Sequence, residues 1–537
     1  MSNRLESSDP RRAPAPDAPH GSGDPSSTKA ARSLIIGSTL AGLALYAATC
    51  APGVLWQDSA MFQFRVWHFD LAGTEGLPLA HPLYILLARL LACLPLGEFA
   101  YRVNLFSALC GAASLGLAAD FLLCMTRSRR AALAGVIVLG VSHTFWTHAV
   151  IAEVYDLYAV GLLAELCLLE RFFRCRRARW LVFAAIANGL NQSNHLMAIL
   201  HWPAYAGVLF WGLRGRTLNL RGIVAVFAGL AAGSSPYLYL MGRELVAGRP
   251  AGVVVWEALV GPPNRATFVL TYAFPFARQV KNAILYFVMN FPTPLLLLAP
   301  LGLMGAWRDR AMTWFALFGG AIFAVGFVFA FRYVVPDQFV FYTPCYVLMA
   351  LFIGIGIAHW QSGRTRRSWL VFVLAVLPAA VYEVAPTVLR RAQMTLGTRD
   401  LPYRDSYTYF IRPRKNGDTG AERYAREALA LVAPGGALFG DVTVKNPVTY
   451  VRDVLGAGRD VVIGVPGDIT PAEPTVEMSP EGIAPYVERG LAYSCSAGVY
   501  LPKWLRDSHD VTPHGIIYRL TRKAQSEPPT RPGGTLP

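Results

Sequence analysis

Asp58 ends the short run Trp56-Gln57-Asp58, just after the first long apolar stretch of the chain. Ala80-His81-Pro82, Tyr101-Arg102-Val103-Asn104 and Glu153-Val154-Tyr155 follow, and Asn194-His195, Arg332 and Asp337 come later. Each of these polar groups sits at an end of an apolar stretch. Ionisable groups in such places are costly to keep and mark a functional site by default. A positioned carboxylate can take a proton from an attacking hydroxyl, worth typically about 10²–10⁴-fold in rate. Arginine can hold a phosphate through fork-like, charge-assisted hydrogen bonds. Carboxylates, imidazoles and guanidinium at one depth suit a substrate that is half lipid and half polar. A sugar on a polyprenyl phosphate has that form, with its chain in the bilayer and its phosphate and sugar at the interface. No Walker loop, GxSxG elbow or HExxH motif competes with this chemistry.

The elements that must position these groups are membrane helices. The chain has 537 residues, of which 54% are hydrophobic and only 15% charged, with mean hydropathy +0.37. Apolar stretches of roughly 20 residues, enough to cross the hydrocarbon core, recur from Ser33 to Leu389. The net charge of +15 lies in short basic loops between them. That is the positive-inside pattern, and no nucleic-acid partner is expected. Arg11, Arg12, Lys29 and Arg32 put the N-terminus in the cytoplasm. Eleven spans are expected: 33–50, 102–125, 131–149, 154–172, 180–194, 196–213, 222–241, 280–304, 311–331, 340–360 and 368–388. An outer loop, 52–100, contains Pro82–Leu94, which reads as a helix lying at the interface.

Residues 1–32 should be a disordered cytoplasmic tail, and 526–537 a loose end. Residues 390–525 hold 19 basic and 16 acidic side chains together with that end and lack any spanning run. They read as a small extracytoplasmic α/β domain, with a helix over 421–432 and strands over 437–440, 460–465 and 515–521. Eight scattered cysteines form no CxxC pair, so neither a disulfide framework nor a zinc site is implied. The fold class is thus an all-α polytopic membrane protein with a small α/β appendage, in a multi-pass setting such as a bacterial inner membrane.

The ordered set of motifs resembles the GT-C class of membrane glycosyltransferases. More closely it resembles the bacterial and animal family, formerly a domain of unknown function, that includes a protein O-mannosyltransferase. The matching pieces are Gly53-Val54-Leu55-Trp56-Gln57-Asp58-Ser59-Ala60, Ala80-His81-Pro82-Leu83-Tyr84, Ala100-Tyr101-Arg102-Val103-Asn104-Leu105-Phe106-Ser107-Ala108, Phe145-Trp146, Glu153-Val154-Tyr155, Gly189-Leu190 with Asn194-His195, and Asp337 to Pro344. The resemblance implies a polyprenyl-phosphate sugar donor, inversion at the anomeric carbon and Asp58 as the base. The family tends to follow that aspartate with Ser-Gly-Glu, where this chain has Ser59-Ala60-Met61. Glu153 is the candidate replacement for the missing second carboxylate.

The expected site therefore has Asp58 as catalytic base. His81, Arg102, Asn104, His195 and Arg332 hold donor phosphate or sugar, and Glu153, Tyr155 and Asp337 shape the acceptor side. The partners would be membrane lipids, the lipid-linked sugar (mannose or another hexose or pentose) and a protein, glycan or lipid acceptor. Mg²⁺ or another divalent cation is left open. The rival readings are a polytopic transporter, a lipid-handling protein or a non-catalytic relative. Charged sites near the bilayer midplane and repeated halves, which transporters often show, are not evident.

Overall fold

A computed structural model describes residues 29–262, 275–361, 368–397 and 399–523. The expected N-terminal tail lies outside the described residues up to position 28, and 29–32 already belong to the first helix, α1 (Lys29–Thr49). The expected loose end, 526–537, lies wholly outside them.

The first loop carries α2 (Asp58–His68) and α3 (Pro82–Ala92). Then come α4 (Phe99–Thr126), α5 (Arg129–Gly140), α6 (His143–His148), α7 (Tyr155–Cys175) and α8 (Ala178–Asn194). They are followed by α9 (Trp202–Arg214), α10 (Leu220–Gly233), α11 (Ser235–Val246) and α12 (Ala251–Val260). The last membrane helices are α13 (Phe276–Asn290), α14 (Ala299–Arg308), α15 (Thr313–Arg332), α16 (Thr343–Gln361) and α17 (Ser368–Arg391). Among the described residues, 6 helices are long and apolar enough to cross a membrane, or up to 8 if each bent pair is one span. Every expected span is helical, yet three are not single rods. The segment 131–149 is split at Val141-Ser142 into α5 and α6. The segment 222–241 bends by 71° between α10 and α11, and 280–304 bends by 110° between α13 and the following 294–308 stretch. Both sharp bends sit beside prolines, Pro236 and Pro292–Pro294, which remove a helical N–H and crowd the preceding turn.

The stretch Gln338–Gln361, which contains α16, is the axis of the bundle: 94% of its most apolar window is buried, against 22% for α1 at the periphery. α8 and α10 touch backbone to backbone. A Cβ on Gly189 would come within 2.3 Å of the Leu230 carbonyl oxygen, and one on Gly233 within 2.2 Å of the Ile186 carbonyl oxygen. Small residues permit such approach between membrane helices.

After α17 the chain forms α18 (Ser406–Ile411) and an α/β unit. Its helices are α19 (Gly420–Leu431), α20 (Val442–Asp453), α21 (Pro480–Glu488) and α22 (Lys503–Ser508). Strands β1 (Ala437–Phe439), β2 (Val462–Val465), β3 (Thr475–Glu477), β4 (Ala492–Ser494), β5 (His509–His514) and β6 (Ile517–Arg522) make one sheet ordered β3-β2-β1-β4-β6-β5. The pairs among β1, β2, β3 and β4 are parallel, and β6 is antiparallel to β4 and β5. In α19, Ala421, Tyr424, Ala425, Ala428 and Leu429 face inward, the stripe a 3.6-residue period gives. That core does not close on itself. Val54, Trp56, Ala60 and Phe64, from the first loop and α2, pack in the same cluster as Tyr424, Leu438 and Val448.

Candidate functional site

Asp58 is placed by this shared core. Trp56 is 1% exposed, its ring centroid 5.5 Å from that of Tyr424. The next residue, Gln57, has φ 57 and ψ −127. A side chain other than glycine rarely takes a positive φ, and such residues cluster at functional sites. Two contacts from the α/β unit hold it. Gln57 N–H donates to the Thr443 carbonyl at 3.2 Å, and the Asn446 amide donates to the Gln57 carbonyl at 3.3 Å. Gln57, not Asp58, occupies the N-cap of α2, and its side chain makes no capping bond. Asp58 is therefore the first helical residue, half-buried, where the helix dipole favours its negative charge.

One turn along the same face of α2, Phe62 meets a row of rings. Its centroid is 5.6 Å from His81, which lies 5.1 Å from His195, and His195 lies 5.4 Å from Tyr155. Tyr155 stacks on His148 at 4.8 Å. His81, just before Pro82, is also left-handed, at φ 49. Its Nδ1 lies 2.6 Å from the Asn194 carbonyl oxygen. A carbonyl only accepts, so Nδ1 carries the proton, and in the neutral ring Nε2 is the acceptor. Burial pushes the His81 imidazole down to about 4, with the Asn194 carbonyl pulling the other way. His195 has the opposite polarity. Its Nδ1 accepts from Met197 N–H at 3.2 Å, which leaves its ring proton on Nε2.

Glu153 is fixed through its backbone. Its N–H donates to Ser107 Oγ at 3.2 Å, and Ser107 Oγ donates to its carbonyl at 3.2 Å. Tyr84 OH lies 3.2 Å from the same hydroxyl. Tyr84 and Ser107, both inside the sequence motifs, thus hold the turn between α6 and α7. Burial raises the Glu153 carboxyl well above its usual range, and the charges of Asp58 and Asp337 raise it further. Burial also raises Asp337. Three carboxyls from three separate turns therefore share one electrostatic neighbourhood.

Two expected donor-binding residues have other partners. Arg102 Nη1 donates to the Ala92 and Leu94 carbonyls at 2.6 and 2.8 Å, so it closes the C-terminal end of α3. Asn104 is fully buried and donates to the Ala51 and Gly53 carbonyls at 3.0 and 3.1 Å while accepting from Gln63 at 2.8 Å. It ties down the strand of loop that leads to Asp58. Arg332 is exposed at the end of α15. There it lines a lateral groove of about 530 Å³ between α13 and α15, walled by Phe276, Val280, Ile284, Phe327 and Phe331.

Two residues escape sequence reasoning. The Arg404 guanidinium, from the segment after α17, lies 5.8 Å from the Trp56 ring and 5.3 Å from both the Tyr409 and Phe410 rings. Tyr409 is raised by burial, then by Asp418, and also by Glu153 and Asp58, while Arg404 lowers it. Tyr409 thus lies between the carboxylates of Asp58, on the first loop, and Glu153, in the α6–α7 turn, and a cation of the appendage. No local pattern signals this, because the partners lie hundreds of residues apart. Asp441, just after β1, caps α20 through Thr443 N–H and pairs with Arg399 at 2.7 Å. Among the described residues no group of three or more His, Cys, Asp or Glu is set to hold a metal ion. All eight cysteines are free thiols.

A polytopic helical domain, an interfacial α2–α3 loop and a sheet domain seated on that loop are the fold of the GT-C membrane glycosyltransferases. The crystal structure of ArnT from Cupriavidus metallidurans bound to undecaprenyl phosphate superposes with a TM-score of 0.54, covering 93% of this chain and 99% of that one at 14% identity. Its apo state gives 0.54, with 92% and 98% coverage at 16% identity. More particularly, the chain resembles the protein O-mannosyltransferases: residues 76–218 match the family model of the protein O-mannosyl-transferase TMEM260 N-terminal domain. The mouse protein O-mannosyl-transferase TMEM260 is 30% identical over 174 residues, which are 30% of this chain and 24% of the mouse protein. The chain thus spans about a quarter of the length of that curated relative.

Proposed function

We propose that this protein is an inverting membrane glycosyltransferase. It moves a sugar, mannose or another hexose or pentose, from a polyprenyl-phosphate donor to an acceptor hydroxyl on the extracytoplasmic face. The observation that carries the reading is the electrostatic grouping of Asp58, Glu153 and Asp337, with the Asp58 loop seated against the α/β unit. The likeness to ArnT, solved with undecaprenyl phosphate, supports the donor class. The likeness of residues 76–218 to an O-mannosyl-transferase domain supports the reaction type.

Asp58 accepts the proton of the attacking hydroxyl while that oxygen forms the new bond to the anomeric carbon and the polyprenyl phosphate leaves. Glu153, protonated more readily than an ordinary carboxyl, and Asp337 hold the acceptor without competing as bases. Tyr155 closes this side. His81 Nε2 accepts from a sugar hydroxyl, and His195 Nε2–H donates to the departing phosphate. Arg404 supplies the positive charge that sequence reasoning assigned to Arg102. The groove beside Arg332 receives the isoprenoid chain. Arg102 and Asn104 position α3 and the Asp58 loop. The acceptor is a protein, glycan or lipid hydroxyl.

The test uses the full chain reconstituted in liposomes with polyprenyl-phosphate sugars. Asp58→Asn should cut turnover by about 10²-fold or more with unchanged expression and thermal midpoint. An unaltered rate would remove Asp58 from the role of base.

A further inference from the structure

At the end of the bundle opposite Asp58, the ends of α4, α7 and α16 and the starts of α1 and α15 surround a second cavity, of about 1940 Å³. α15 runs from this cavity at Thr313 to Arg332 beside the first site. Its 20 residues put the two about 30 Å apart. The transfer chemistry proposed above uses none of its residues.

The mouth is cationic. Arg127, Arg129, Arg174, Arg176 and Arg310 line it, against the carboxylates of Glu170 and Asp309. Glu170 is already paired with Arg174 at 3.3 Å. The inner wall is aromatic and apolar. Phe173 stacks on Trp314 at 4.9 Å and 16° and meets Trp211 at 5.1 Å, and the Arg176 guanidinium lies 4.3 Å over the Trp211 ring. The cavity also opens sideways. Trp211 and Leu317 line it, yet are 37% and 56% exposed on the apolar flank of the bundle.

Basic loops at one membrane face are the ordinary result of topogenesis, and they need no cavity. Here the arginines converge on a hollow whose depth is apolar and whose side is open to hydrocarbon. That combination matches one chemistry: a phosphate headgroup at the mouth, with acyl chains against the aromatic wall. Basic pockets between membrane helices bind anionic headgroups in this way, and arginine suits phosphate through its planar donor fork. We propose that this cavity is a binding site for an anionic phospholipid drawn from the adjoining leaflet, separate from the transfer site.

The test is native mass spectrometry of the full chain, exchanged into nanodiscs of phosphatidylglycerol or of phosphatidylcholine. Phosphatidylglycerol should stay bound at least about fivefold more than phosphatidylcholine. The double variant Arg174→Gln/Arg176→Gln should lose that preference by a further factor of about five or more, while Arg243→Gln, outside the cavity, should keep it. A parental thermal midpoint in detergent shows that the double variant is folded; should it fail to fold, Arg127→Gln/Arg129→Gln takes its place with the same expectation. Equal retention of the two lipids overturns the proposal, as does full retention in the folded variant. Displacement of the lipid by millimolar inorganic phosphate overturns it in favour of a free-anion site.

Discussion

At the scale of single residues, Glu153 makes the sharpest statement. Burial, then Asp58 and Asp337, raise its carboxyl well above the usual range. The folded protein therefore holds this proton more tightly than the unfolded chain does. The resulting stability is fully present below the ordinary glutamate value of about 4.3 and is lost as pH rises toward the higher folded value. Gln at this position keeps the shape and cannot ionise. Glu153→Gln should melt close to the parent at pH 5 and above it at pH 8, as read by scanning fluorimetry in detergent. A gap that does not change with pH would refute the account. Asp58, Glu153 and Asp337 were legible because carboxylates at span ends are rare and costly. The carbonyl partners of Arg102 were not legible, for a physical reason. Charge and position suit a phosphate, but the Ala92 and Leu94 carbonyls that it satisfies become orphans only once α3 has ended there.

At the scale of elements, hydropathy located the helices and missed their breaks. The 110° and 71° bends arise where prolines interrupt runs whose average hydropathy stays high. In the α/β unit, α19 and strands β1, β2 and β6 were legible from their periodicity or buried runs. Strands β3 and β5 were not, since neither has a fully buried residue and they carry Thr, Glu, His and Asp in place of an apolar face. Gly189 gained its meaning only from the fold, as the contact point of α8 with α10. Gly189→Ala should lower stability by about 1–3 kcal/mol, the range for an overpacked site, measured by chemical denaturation in detergent. It should also lower turnover, because α8 delivers Asn194 and His195 to His81. Unchanged stability would mean that the two helices part without strain.

At the scale of the whole molecule, the membrane bundle and the appendage share one core through Val54, Trp56 and Phe64. This joint was invisible in the sequence, where residues 52–100 read as an outer loop with an interfacial helix over Pro82–Leu94 and 390–525 as a separate domain. Trp56→Ala should cost about 3–5 kcal/mol, as for other buried aromatic truncations. It should also speed proteolysis between residues 391 and 420 and reduce transfer, although the indole touches no reacting atom. Retention of both protease resistance and turnover would show that the two units hold together without it.

The same joint orders events during synthesis. Asn446, which holds Gln57, follows it by 389 residues. At about 5–20 residues per second, a ribosome needs roughly 20 s to over a minute to make that stretch. The nascent bundle is inserted well before the clamp on the loop that carries Asp58 exists. A half-made chain is therefore expected to lack transfer activity, and competence arrives only once the segment that carries Asn446 has been made and has folded onto the first loop.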